Sequence, residues 1–240
     1  MATIVLGSLL GLAVGSRLDE RTRTTITQVL GLCTLVMGAS ALLPMFREPL
    51  ASSVPGGAVF LLVVLSLALG TLVGSLLRLE DRTEGIAVRL RRWLVREGSD
   101  SADKQARFVS AFVTTTLLYA IGPMAILGAL QDGLGQGASI LLVKAVLDGI
   151  ASIAFASALG AGVMASALSV GAYQGLLTLL AWLLGDLLSP VQVDLLSAVG
   201  GVILLGVALR LMQVLDIRVG DTVPSLLVAP VLMGLAQLVF

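Results

Sequence analysis

Lys144 and Asp148 are the residues whose types and spacing most invite chemistry. Both lie in Ser139–Gly160, SILLVKAVLDGIASIAFASALG. That stretch is long and apolar enough to cross a bilayer, which takes about 20 residues at roughly 1.5 Å each. Each charge costs roughly 2.5–3.5 kcal/mol at the centre of a membrane helix. Four residues apart, they sit one turn above each other and can pair. Asp148 lies half-way along the segment, too deep to snorkel easily. A charge at that depth faces the protein interior or a wet cavity and marks a candidate site. The ridge continues as Ser152, Ala156 and Gly160, a small-residue track along which another helix can approach. The alternative is a buried ion pair that only holds helices together.

Other polar residues at membrane depth extend the candidate site. Thr114-Thr115-Thr116, Tyr119 and Gly122-Pro123 interrupt the apolar stretch Phe108–Leu130. Proline removes a backbone hydrogen bond, and discontinuous helices are how many transporters build a substrate site. An ordinary proline kink is the plainer reading. Gln174, inside Gly171-Ala172-Tyr173-Gln174-Gly175, can bridge helices or line a path. Asp132, in the glycine-rich loop before Ser139, is a vestibule acid or a solvated one. Asp221, just ahead of Val223-Pro224, is placed to cap the last helix, or to coordinate an ion at its end.

The elements that must position these residues are membrane helices. Hydrophobic residues make up 57 % of the 240 and charged ones 12 %, far from a soluble domain. Long apolar runs favour an all-α bundle over a barrel of short alternating strands. About eight spans are expected in one membrane domain, residues 1–240: Thr3–Ser16, Ile26–Leu43, Gly57–Leu77, Phe108–Leu130, Ser139–Gly160, Val163–Leu188, Val191–Met212 and Thr222–Phe240. The apolar start, without a basic leader, makes the first a retained span. Gly7, Gly11 and Gly15, then Gly70 and Gly74, then Gly171 and Gly175 recur every four residues. Such spacing lets backbones meet in a compact bundle or a tight homo-oligomer. Leu30–Leu43 and Val199–Met212 share a glycine and leucine rhythm that would fit an internal inverted repeat.

Basic residues cluster in the odd-numbered connections. Arg17, Arg21 and Arg23 follow the first span, Arg78 to Arg107 the third, and Arg210 and Arg218 the seventh. The even-numbered ones hold Arg47 alone. Positive charge marks the cytoplasmic side, so both termini are expected outside. Residues 78–107 read equally as an amphipathic helix on the inner leaflet, with Leu79, Ile86, Leu90, Trp93 and Leu94 on one face, and as a solvated linker.

There is no histidine, which excludes a Ser-His-Asp triad, a His-ligated metal and a His proton relay. Cys33 is the only cysteine, which excludes an internal disulfide and a thiolate metal cage; it reads as an apolar filler. No cofactor, enzyme activity or nucleic-acid partner is expected.

Three stretches, GLCTLVMG (Gly31–Gly38), Ser139–Gly160 and SAVGGVILLGVALRL (Ser197–Leu211) with the following Val219-Gly220-Asp221-Thr222-Val223-Pro224, carry a resemblance. The chain resembles the YdfK/YqgA-type family of bacterial integral membrane proteins, a domain of unknown function, over nearly its whole length. The resemblance implies a helical bundle in the bacterial inner membrane and brings no substrate. It also implies asparagine at the positions held here by Leu6 and Asp221, so any ligand touching them would differ.

Together these readings point to a transporter of a small solute or ion embedded in the lipid bilayer. Asp148 would be the central acid, neutralised in turn by Lys144 and by a cation or proton. Ser152, Thr115, Tyr119 and Gln174 would line the path, with Asp132 and Asp221 as further candidate ion-binding acids. An oligomeric channel and a non-transporting scaffold are the alternatives.

Overall fold

The computed structural model describes residues 1–15, 19–55, 58–82, 85, 88–89, 102–120, 123–135, 137–184 and 188–239. Every regular element among them is helical. In chain order they are α1 (Ala2–Gly15), α2 (Glu20–Ala41), a 3-10 turn (Leu43–Phe46), α3 (Ala58–Leu76), α4 (Ala102–Ala120), α5 (Pro123–Gly133), α6 (Ser139–Leu159), α7 (Gly162–Leu184), α8 (Pro190–Leu211), a second 3-10 turn (Val219–Thr222) and α9 (Ser225–Val239). The all-α bundle expected from composition is present. Of the expected apolar face, Ile86, Leu90, Trp93 and Leu94 lie outside the described residues.

Among the described residues six segments are long and apolar enough to cross a membrane: Glu20–Phe46, Ala58–Leu76, Ser139–Leu159, Gly162–Leu183, Pro190–Leu211 and Val219–Leu238. The expected count of eight is therefore approximate. The 14 residues of α1 reach roughly 21 Å, short of the hydrocarbon thickness of about 30 Å. The expected fourth span holds two described helical stretches, and residues 121–122 between them lie outside the described residues. The first, α4, opens on charged residues that include Asp103, Lys104 and Arg107. Its described residues end at Ala120, and those of α5 begin at Pro123. Gly162 packs against Phe108 and Phe112 of α4, and Gly133 at the end of α5 packs against Thr178, Ala181 and Trp182 of α7. The two pieces therefore run in series along α7, in its direction.

Glycine positions set the packing. Gly7 of α1 meets Gly149 and Ser152 of α6, Gly11 meets Ile153 and Ala156, and Gly15 meets Ser157. These helices run the same way, and the small-residue track beyond Asp148 is what α1 packs on. Gly31 of α2 meets Ala208 and Met212 while Gly38 meets Gly201 and Leu205. Leu30–Leu43 and Val199–Met212, the two stretches of matching rhythm, thus pack together in opposite directions. Gly70 lies against Ser225, and a Cβ on Gly74 would overlap the Asp221 carbonyl oxygen. Helix α8 is the centre, its most apolar window 67 % buried against 22–39 % for the other long helices.

The third glycine pair behaves differently. Among the described residues Gly171 touches Met1 alone, and Gly175 has open space around it. Cys33 also faces outward, beside Leu32, Val36 and Met37 on the exposed side of α2. In lipid the outer surface is the apolar one, so an apolar residue carries no signal for the inside; small residues do.

This gives a paired prediction. Gly74→Ala is expected to destabilise the purified protein by at least 1–3 kcal/mol, roughly the cost of overpacking, because the obstacle is backbone. Gly175→Ala is expected to stabilise it by about 0.5–1 kcal/mol, the usual gain over glycine inside a helix. Thermal unfolding of the two variants in detergent checks both signs.

The basic connections meet at one end of the bundle. Arg107, ahead of the fourth crossing, pairs with Glu20 at the start of α2. Arg210 and Arg218 pair with Glu80 and Asp81, just beyond α3. At this end Asp19 caps α2 by accepting the Thr22 N–H at 3.2 Å. Hydrogen bonds from the Thr22 side chain and backbone hold its carboxyl below the usual range, which keeps the cap charged at neutral pH.

Candidate functional site around Lys144 and Asp148

The first turn of α6 is held by its neighbour. Ala138 precedes the helix and offers no side-chain cap. Gln131, near the end of α5, supplies it instead: its Oε1 accepts from the Ile140 N–H at 3.3 Å and the Ser139 hydroxyl at 3.2 Å. The chain turns between them through Gly135 and Gly137, whose φ values of 70° and 102° favour glycine.

One and a half turns further on, the Lys144 ammonium donates to the Asp148 carboxylate. Their side chains are only 7 % and 15 % exposed, so the pair is genuinely interior. The ammonium also stands 5.9 Å from the centre of the Tyr119 ring, within reach of a cation–π attraction. Ser152 is fully buried and gives its hydroxyl hydrogen to the Asp148 carbonyl at 2.7 Å. Its oxygen lies 2.9 Å from the Tyr119 hydroxyl. Because Ser152 has one hydrogen, already committed, Tyr119 is the donor there. Phe155 closes the layer edge-on to Tyr119, centroids 6.3 Å apart. The last turn of α4, just before the expected break, is thereby tied to the ion-pair helix.

A cavity of about 230 Å³ opens beside the pair, lined among others by Thr3, Ile4, Leu141, Lys144, Asp148 and Gln174. Two polar atoms of its lining residues, Thr3 Oγ1 and Gln174 Nε2, are buried without a hydrogen-bond partner among the described residues. An orphaned buried polar group costs about 1–3 kcal/mol, so natural proteins keep few of them. Two beside one buried ion pair form an unusual concentration.

The structure therefore brings Lys144, Asp148, Ser152, Tyr119 and Gln174 together. It does not bring Thr115, whose buried hydroxyl bonds back to the Ala111 carbonyl of its own helix at 2.7 Å. Asp132 is exposed, and its carbonyl accepts from Gly135 in the turn. Asp221 is buried but stands elsewhere, and it does not cap α9. It lies in the second 3-10 turn, and its carboxylate accepts the Glu80 N–H at 3.0 Å. The competing donor won because α3 approaches this turn closely through Gly74.

Thr3 was missed, although it heads the Thr3-Gly7-Gly11-Gly15 stripe that packs on α6. Glu80 was missed as well. Its carboxylate, 6 % exposed, accepts from Arg210 at 2.7 Å and from the Gly220 N–H at 2.9 Å. With the Asp221 bond this makes a reciprocal clamp between the end of α3 and the α8–α9 connection. Arg78 turns the chain into it at a φ of 50°. No local pattern joins Glu80 to a partner 130 residues away.

A second cavity of about 180 Å³ lies at the other end of α6, lined by Glu20, Gln28, Arg107, Ser110, Leu159 and Gln213 among others. Tyr119, Ser152 and Phe155 fill the interior between the two.

These features define a polytopic helical membrane protein with a charged pair inside its bundle. The chain belongs to the family described as Protein of unknown function (DUF554), whose model matches residues 1–234. It is similar to the Uncharacterized membrane protein YdfK of Bacillus subtilis strain 168, 26 % identical over 95 % of this chain and 90 % of that protein. It is similar also to the Uncharacterized protein YqgA of Escherichia coli strain K12, 28 % identical over 95 % of this chain and 91 % of that one. No solved structure matches.

Proposed function

We propose that this protein is an inner-membrane transporter of a small solute or ion, and that its site is the cavity beside Lys144 and Asp148. The observation that carries the reading is the pair of partnerless polar atoms, Thr3 Oγ1 and Gln174 Nε2, beside that cavity. A site that only glued helices would have no use for donors left without acceptors. One further feature supports it. Cavities lie toward both ends of α6 with the Tyr119–Ser152–Phe155 layer between, the arrangement alternating access needs. The basic end of the bundle is the cytoplasmic one by charge, with both termini outside. A homo-oligomer would have to use outward faces, since Gly7, Gly11, Gly15, Gly70 and Gly74 are spent within the chain. No catalytic step is proposed.

The scaffold reading draws on one observation, that Lys144 and Asp148 satisfy each other directly. The two readings separate at Gln174→Leu and Thr3→Val. Each removes a buried polar atom that has no partner to lose, so folding should be unchanged or gain up to about 1–3 kcal/mol. Uptake into proteoliposomes, screened over ions, organic acids and amino acids, should fall at least tenfold in both. Undiminished uptake in both variants would remove the cavity from the transport path. No uptake of any solute by the parent would favour the scaffold.

A further inference from the structure

We infer that the cavity takes a small zwitterion with an apolar side chain, the chemistry of an aliphatic amino acid; the inference rests on the reading of the cavity as a ligand site. The argument begins with charge. Lys144 and Asp148 are buried with one unit of each sign between them. A lone cation attracted to Asp148 would strand the Lys144 ammonium, and a lone anion on Lys144 would take from Asp148 its direct ion-pair partner. Stranding a buried charge is what proteins avoid most. A zwitterion can open the pair and replace each partner with its own, carboxylate on Lys144 and ammonium on Asp148, leaving the net charge at zero.

The two orphaned groups complete the match. A carboxylate held by Lys144 has lone pairs to spare for the Gln174 amide, a donor without an acceptor. An α-ammonium has three N–H groups, more than one carboxylate oxygen uses, and the Thr3 hydroxyl can accept another. The rest of the wall is formed by Met1, Ile4, Ala138, Leu141, Leu142 and Ala145. Its aliphatic side chains suit an aliphatic side chain on the ligand.

The test is equilibrium binding, followed by thermal unfolding of the full-length protein in detergent. The probes are L-alanine, L-leucine and three near-isosteres of alanine: propionate, ethylammonium and propionamide. Both amino acids should bind and raise the unfolding midpoint. Each isostere should bind at least tenfold more weakly, about 1.4 kcal/mol. Binding of the amino acids should be lost in Gln174→Leu and in the Lys144→Met/Asp148→Leu double variant, which removes both charges together and so leaves none stranded. An isostere that binds as tightly as L-alanine would overturn the zwitterion assignment while leaving the site in place. Failure of both amino acids to bind at millimolar concentration would overturn it too, as would binding that survives in both variants. L-Alanine that binds through Gln174 without entering proteoliposomes would sink the transporter reading and leave the zwitterion assignment standing.

Discussion

Asp148→Leu alone is expected to destabilise the protein by about 3–5 kcal/mol, whereas Lys144→Met together with Asp148→Leu is expected to change stability little or raise it. The single variant leaves the Lys144 ammonium, 93 % of its side chain shielded, without the carboxylate that neutralises it. Removing one member of a buried pair costs that much because an uncompensated charge remains. Removing both substitutes apolar groups of similar size, often neutral or stabilising by 1–4 kcal/mol in soluble proteins. The cation–π contact with Tyr119 is worth about 0.5–2 kcal/mol at most and cannot replace the carboxylate. Unfolding of the parent, both single variants and the double variant in one detergent forms a complete cycle. A coupling energy near zero would mean the ammonium escapes to water in the single variant. The double variant should fold and yet carry nothing, which is the outcome separating a site from a strut.

Glu80→Ala carries the second large effect. The carboxylate answers the Arg210 guanidinium and the Gly220 N–H, and its own backbone N–H is answered by Asp221. Removing it leaves a guanidinium that is 21 % exposed and a buried peptide N–H. The expected loss is about 3 kcal/mol, the lower end for a broken buried pair because Arg210 is partly wet and retains Asp216 at 3.6 Å. Glu80→Gln should lose less, since an amide oxygen can still accept from Gly220. The clamp lies at the basic end, away from the cavity at the start of α6. Binding at Lys144–Asp148 should therefore persist in Glu80→Gln. Protease susceptibility of the α8–α9 connection, Gln213–Arg218, should rise in Glu80→Ala, because that connection loses its anchor to α3.

The parts of this architecture that were legible in the chain are those written in local periodicity. An apolar run of about 20 residues must be a helix in lipid, because no water is present to satisfy its backbone. Glycine every fourth residue from Gly7 to Gly15 makes one face on which another backbone can close, and α6 does so. A lysine one turn before an aspartate at membrane depth must pair inward. Each of these is settled by groups within a few residues of one another.

Tertiary structure decided the rest, because the deciding partners are far apart in sequence. Thr3 and Gln174 are separated by 171 positions, and only the packing of α1 and α7 against α6 brings both to the wall of one cavity. Thr115 and Tyr119 lie one turn apart on α4, yet only the hydroxyl of Tyr119 reaches Ser152, while Thr115 returns to its own backbone. Asp221 sits where a helix cap would, but the Glu80 N–H claimed its carboxylate once Gly74 let α3 close on the turn. Gly171 and Gly175 repeat the spacing of Gly7 and Gly11 and meet no helix, because spacing places residues on one face and cannot say what covers it. The sequence alone determined that charges would be buried and where helices would form. Which buried groups found partners, and which were left without one, was decided by the three-dimensional packing, since a hydrogen bond is settled by distance in space.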